Sequence, residues 1–270
     1  MDKKKIALTI ISVIAAILMC FKIHYDAEKF FCGQMLKAIE NDDMQRLKVA
    51  LFFGDPNSVL GFPVIECFCE KNDRRTPLQL ACEKGNADMV KVLVENGADA
   101  NYTPMNAAIS PLSYAVVNKN ANNLSIVKYL IENGADANSK RYGCNAIDYL
   151  LFEDDLPPNG MEILRELVEA GADTHSFGNI SGAFYWGNDE VIRYLVEECG
   201  SDVRGGRYIR IYCRDFDKYS YETFELMLQN GADPYAKDEN GECAMDHLKK
   251  VSPEWAETVA EMAKEYGFEG

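Results

Sequence analysis

The sequence predicts an all-α solenoid of stacked helix pairs with turn-rich finger loops, preceded by one N-terminal hydrophobic helix. Three observations predict it. A short Gly-Asp string recurs along the chain. Each copy closes a run with apolar residues at helical spacing. An uncharged apolar run from Ile6 to Phe21 stands near the N-terminus.

The N-terminal element comes first. Asp2, Lys3, Lys4 and Lys5 precede the apolar run, and Lys22 and Ile23 follow it. The run is sixteen residues long. That lies between a signal-peptide core of about 7–15 residues and a membrane span of about 20. Residues 1–23 are therefore expected to form a signal-anchor, or else a cleaved or lipidated export signal. The small residues Ala15 and Ala16 are followed by Ile17, Leu18 and Met19, which makes no clear A-x-A cleavage site. A lipidated form would use Cys20, in a string resembling a bacterial lipobox, although Met19 stands where that motif wants a small residue. As an anchor, the lysine cluster stays cytoplasmic under the positive-inside rule and the remainder lies outside. The expected membrane contact is through this helix alone.

The repeat follows. ENGADAN occurs at Glu95–Asn101 and again at Glu132–Asn138. Related strings sit at Glu169–Asp173, Glu198–Asp202 and Gln229–Pro234. Their glycines are Gly97, Gly134, Gly171, Gly200 and Gly231, at separations of 37, 37, 29 and 31. VKVLVENG, VKYLIENG, LRELVEAG, IRYLVEECG and FELMLQNG are the helical runs that end there. Gly suits the left-handed position that closes a helix, and the Asp after it suits a turn. A second mark opens the first helix of a pair. In Arg75–Cys82, RTPLQLAC, Thr76 is placed to cap the helix and Pro77 to fill its first position. Ser110-Pro111-Leu112 repeats the idea with serine. Asn145–Asp148 and Cys243–Asp246 occupy the same place without proline.

These two motifs at this spacing resemble the ankyrin-repeat family over about 31–267. The best units are 73–106 and 107–142, with about seven in all. The first spans Gln34 to Asn57 and ends in Gly54-Asp55-Pro56-Asn57. Two insertions interrupt the pattern. Ser58–Asn72 carries Phe62, Pro63, Cys67, Phe68 and Cys69, and Glu153–Gly160 carries Pro157 and Pro158. A length prior of about 150 residues per domain would suggest two domains, but one repeat array replaces that estimate.

Composition narrows the function. The chain has 270 residues, 47% hydrophobic and 26% charged, which argues against wholesale disorder and a polytopic membrane protein. Its net charge is −15, and the part beyond Lys22 holds 24 basic and 42 acidic residues, a net of −18. Nucleic-acid binding is not expected, since phosphate neutralisation needs a basic face. The acidity suits solubility or a basic partner surface. Nine cysteines are too scattered for a small disulfide scaffold, and Cys67-Phe68-Cys69 is not C-x-x-C. If the compartment is oxidising, one of that pair could bridge to Cys32 or another cysteine. Cys82 reads as a small buried residue. His24, His175 and His247 are isolated, and no Walker A, G-x-S-x-G or H-E-x-x-H string occurs. No enzyme activity, cofactor or metal is expected.

The resemblance implies a protein partner, bound on the side made by first helices and finger loops. By register, the loops would project Tyr102, Arg141, Tyr142, His175, Phe177, Arg207, Tyr208, Asp238 and Glu239. The first helices would present Tyr114, Asn118, Tyr149, Tyr185, Trp186, Tyr212 and Arg214. Aromatics and Arg are the usual anchors of interfaces, and packing between repeats competes for each of them. The narrower expectation is a bacterial envelope accessory or toxin-immunity-type binder. The alternatives are a redox-active or enzymatic protein using the exported cysteines, and a purely structural spacer.

Overall fold

The computed structural model describes residues 3–58, 75–104, 109–152, 156–175, 177–215 and 220–270, leaving out the side chains of residues 3–13, 15, 18, 21 and 177–180. Asp73, Asn106 and Ala107 at the expected unit boundaries lie outside the described residues. So do Phe62, Pro63, Cys67, Phe68 and Cys69 of the first insertion, and Glu153, Asp154 and Asp155 of the second.

The described chain is all helical, and no strand occurs among the described residues. Its fold is that of the expected solenoid of helix pairs. Helices α1 (Lys3–Glu40) and α2 (Met44–Phe53) form the first pair. Then come α3 (Pro77–Lys84) with α4 (Ala87–Glu95), and α5 (Pro111–Val117) with α6 (Asn123–Glu132). Next are α7 (Ala146–Leu151) with α8 (Gly160–Glu169), and α9 (Phe177–Trp186) with α10 (Asp189–Arg193). The last two pairs are α11 (Arg207–Arg214) with α12 (Tyr221–Gln229), and α13 (Ala244–Val251) with α14 (Pro253–Glu265). They fall into two compact units: Met1–Arg141 with Pro157–Asn159, and Tyr142–Leu156 with Gly160–Gly270.

In the first unit, α1 runs unbroken for 38 residues. It continues through 24–30, the stretch expected to separate the apolar segment from the repeats. No proline interrupts this stretch, and Gly33 is tolerated at a modest propensity cost. Among the described residues no helix is long and apolar enough to cross a membrane. Most side chains of the run Ile6–Phe21 fall outside the description. The far end of α1 buries Cys32, Met35, Leu36, Ala38 and Ile39 in the first pair.

Helix starts are set by side-chain caps. Thr76 Oγ1 accepts from Gln79 N at 3.1 Å, Gln79 Oε1 accepts from Thr76 N at 2.8 Å, and Pro77 opens α3. Gln79 is fully buried, and its Nε2 donates to Ile109 O at 2.8 Å, tying this pair to the next. Ser110 caps α5 through Ser113 N. In the second unit the proline-free starts use the same device with an acid. Asn145 caps Asp148 N at 3.0 Å, and Asp148 Oδ2 accepts from Asn145 N at 2.8 Å.

The ends obey the glycine signal. Gly97 and Gly134 have φ of 93° and 85°, a backbone that a side chain would strain. The run IRYLVEECG has one more residue between its helical face and its glycine than VKVLVENG. The extra residue is absorbed as a π-helical turn over Tyr194–Glu198.

The finger loops of the first unit are tied by asparagines. Asn57 Nδ2 donates to Gly97 O at 3.0 Å and its Oδ1 accepts from Asp99 N at 2.7 Å. Asn101 repeats both bonds one unit on, to Gly134 O at 2.8 Å and from Asp136 N at 2.7 Å. The last residue of ENGADAN thus clamps the following loop. Asn101→Ala removes two such bonds and is expected to destabilise the first unit by about 1–3 kcal/mol in denaturant unfolding.

Candidate functional site

In the second unit the first helices α7, α9 and α11 pack side by side. Gly182 permits the closest approach: a Cβ there would stand 2.7 Å from Leu151 O. Phe184 on α9 is fully buried and stacks on Tyr208 of α11, with ring centroids 5.3 Å apart. This core fixes the C-terminal end of α9 beside that of α7.

Three aromatic residues stand at those ends, linked by one ring contact and one bond to a backbone carbonyl. Trp186 Nε1 donates to Phe152 O at 3.1 Å, which satisfies a carbonyl left over where α7 stops. Tyr185 meets Trp186 edge to face, with centroids 4.7 Å apart. Trp186 is half-buried, whereas Phe152 is 47% exposed and Tyr185 55% exposed. The result is a solvent-facing aromatic surface on a fixed base. Such a surface loses little side-chain freedom when covered, which is what makes aromatic anchors effective.

The remaining sequence candidates separate into groups. Tyr208 and Tyr212 are buried and do not project as expected. Tyr212 sits against Phe224 and Trp255, and its hydroxyl donates to Ser220 O at 2.8 Å. Both are core residues because 208, 209, 212 and 213 form the one buried stripe of α11. Phe177 begins α9 rather than sitting in a loop, and its side chain lies outside the described ones. Tyr149 is half-buried on α7, and Tyr142 is well exposed. Tyr142 holds φ of 54°, in the left-handed region, where an aromatic side chain is costly. In the first unit Tyr102 is exposed, while Tyr114 and Arg141 are half-buried. Asn118 is committed to structure, since its Nδ2 donates to Cys82 O at 2.9 Å and also to Glu83 O. Arg214 pairs with Asp215, and His175 stands 4.0 Å from Asp173.

Sequence reasoning missed Phe152, which directly follows the apolar pair Leu150-Leu151. It also missed Tyr221 and Trp255, which stack at 4.4 Å across 34 residues of sequence.

Other chemistry is sparse. No group of three or more His, Cys, Asp or Glu among the described residues could hold a metal ion. Burial raises the Cys82 thiol, and burial, with a smaller contribution from Cys243, pushes Cys213 up to about 12. Both are therefore poor nucleophiles at neutral pH. Arg204 holds Asp202 down to about 2 in an exposed pair. In the first unit the turns between paired helices line an open polar depression that includes Asp42, Lys84, Asn86 and Asn122. There Asn86 Oδ1 caps α4 at Met89 N, and its Nδ2 donates to Asp42 at 2.6 Å. That amide's bonding is used within the fold.

Comparison with known proteins agrees with this architecture. The family model for ankyrin repeats, in three copies, matches residues 35–141. The crystal structure of the human ASB11 ankyrin repeat domain superposes with a TM-score of 0.62 at 18% identity, covering 87% of this chain and 98% of that one. No curated protein matches the chain in sequence.

Proposed function

We propose that this chain, an ankyrin-repeat solenoid whose repeats imply protein partners, is a membrane-tethered binding module. The observation that carries the reading is the surface of Phe152, Tyr185 and Trp186 at the ends of two packed first helices. It is aromatic and open to solvent, and Trp186 at its base is held to the Phe152 carbonyl. The fold itself is typically an interaction scaffold rather than an enzyme.

The tether rests on the lysine-flanked run Ile6–Phe21 and on side chains further along α1. Ile14, Ile17, Met19 and Ile23 stand exposed, with no cover among the described residues. A lipid phase is the natural cover for such a surface. The anchored form keeps the N-terminus cytoplasmic and holds the repeats on the other side of the bilayer. A cleaved or lipidated form would export the same module, and the mass of the mature N-terminus distinguishes the forms. Within this reading, the narrower role is that of a bacterial envelope accessory or immunity-type binder.

The net charge of −18 beyond Lys22 favours a basic partner face. Capture of one partner from detergent-solubilised membranes tests the function. The expected result is a single stoichiometric partner whose association slows as salt rises beyond about 0.15 M. Recovery of none under mild detergent contradicts it.

A further inference from the structure

The first helix pair carries an apolar patch that no repeat covers among the described residues. Phe52, at the end of α2, is 82% exposed, and Val49, Phe53 and Phe30 are exposed beside it. Phe31 stacks on Phe53 with centroids 5.3 Å apart and meets Phe30 edge-on. Four phenylalanines thus form one edge of the pair. Nothing in the core needs Phe52 or Phe30.

The position of this edge suggests its occupant. Helix α1 is continuous, so the patch keeps a fixed height above the apolar run. Phe31 lies eight residues beyond Ile23, about 12 Å along the helix axis. Ile23, Ala27 and Phe31 are spaced by four, which places them on one face of α1. That face leads from the end of the run to the ring stacked on Phe53. The neighbouring stripe carries Asp26, with Lys22 four residues before it to offset the charge.

Charge points the same way. Helix α2 itself contains Arg46 and Lys48 and no acid, in a chain of net charge −15, with the exposed acids Asp42 and Asp43 confined to its N-terminal end. Both cations are exposed, and Arg46 is steadied by Gln34 Oε1 at 3.1 Å from its Nε. Aromatic and cationic side chains together are the composition of a membrane–water interface. The geometry allows the contact. Helix axes in a pair lie about 8–10 Å apart, and spanning helices tilt by about 20° on average. A tilt of that size toward α2 lowers its Phe52 edge by about 3 Å toward a headgroup layer that is several ångströms deep.

We propose that the first repeat docks on the bilayer that holds α1. Phe30, Phe52 and Phe53 enter the headgroup layer, and Lys48, the α2 cation nearer to that edge, faces anionic lipid. This rests on the anchored reading above. It adds that the first unit does not swing freely on a tether: its first pair is fixed to the lipid surface and orients the helix pairs that follow within that unit.

The test uses the full chain, reconstituted in phosphatidylcholine–phosphatidylglycerol vesicles, with a fluorescent amino acid at position 52. Lipids brominated near the headgroup serve as the quencher, and position 221 is the control. Flotation with vesicles and at least roughly twofold quenching at 52, but not at 221, is the expected result. A Phe30→Ser, Phe53→Ser variant should float equally and lose that quenching. Flotation without quenching at 52 overturns the docking and leaves the anchor intact. Failure to float overturns the anchor, and the docking with it. Shielding at 52 that persists in detergent and grows with protein concentration assigns the patch to a second copy, which also overturns the proposal.

Discussion

Phe184→Ala is expected to destabilise the second unit by about 3–5 kcal/mol. The ring is fully buried and stacked on Tyr208, so its loss removes burial, opens a cavity and ends an aromatic pair. The cavity cannot collapse easily. Gly182 already holds α9 against the Leu151 carbonyl, so α9 has no room to advance on α7. Denaturant unfolding followed by helical circular dichroism measures the loss. The unfolding need not remain a single transition, because repeat arrays are stabilised mainly by nearest-neighbour interfaces. An early transition is expected, with the first unit unfolding later. Phe184→Leu fills most of the space and should recover most of the loss. A Phe184→Ala cost under about 1 kcal/mol would mean that α9 does not set the base of the aromatic surface.

Much of the fold was legible because the repeat places backbone-determining residues at fixed positions. Gly97 and Gly134 must take a left-handed backbone, and Thr76-Pro77 must start a helix, so both could be recognised without tertiary context. The degenerate starts were placed correctly at Asn145 and Cys243, where an acid three residues on replaces proline. Helix α1 was harder, since its apolar run and the first repeat look like separate elements until the intervening residues are seen to contain no breaker.

The site was legible only in part. Tyr185 and Trp186 follow the pattern of a helix that ends in aromatics, one exposed and one half-buried. Tyr208 and Tyr212 did not project because Arg207, Arg210 and Arg214 already mark the wetter side of α11. Reading those arginines at spacings of three and four would have turned the tyrosines inward. The partnership of Trp186 with the Phe152 carbonyl, and of Tyr221 with Trp255, joins residues more than thirty positions apart. No local pattern carries such information. The asparagine ladder lies between these cases. The second Asn of ENGADAN is visible in sequence, yet its bonds to the next loop depend on how repeats stack.

The central claim is that the surface of Phe152, Tyr185 and Trp186 binds the partner. Tyr185→Ala is the most informative change. The residue is 55% exposed and its ring rests on Trp186, so truncation should alter stability by no more than about 0.5 kcal/mol. Trp186→Phe complements it, keeping a smaller aromatic ring but removing the donor to Phe152 O, and should allow that end of α9 to loosen. As an interface anchor, Tyr185 should contribute about 2 kcal/mol or more, equivalent to roughly 30-fold in Kd. Glu169→Ala, at an exposed position on α8, is the matched control. The deciding measurement is calorimetric titration of the captured partner into these three variants and the unaltered chain. The account predicts that Tyr185→Ala weakens binding about 30-fold, that Trp186→Phe weakens it less, and that Glu169→Ala stays within about twofold. Unchanged affinity in Tyr185→Ala and Trp186→Phe, with the partner still bound stoichiometrically, would contradict it.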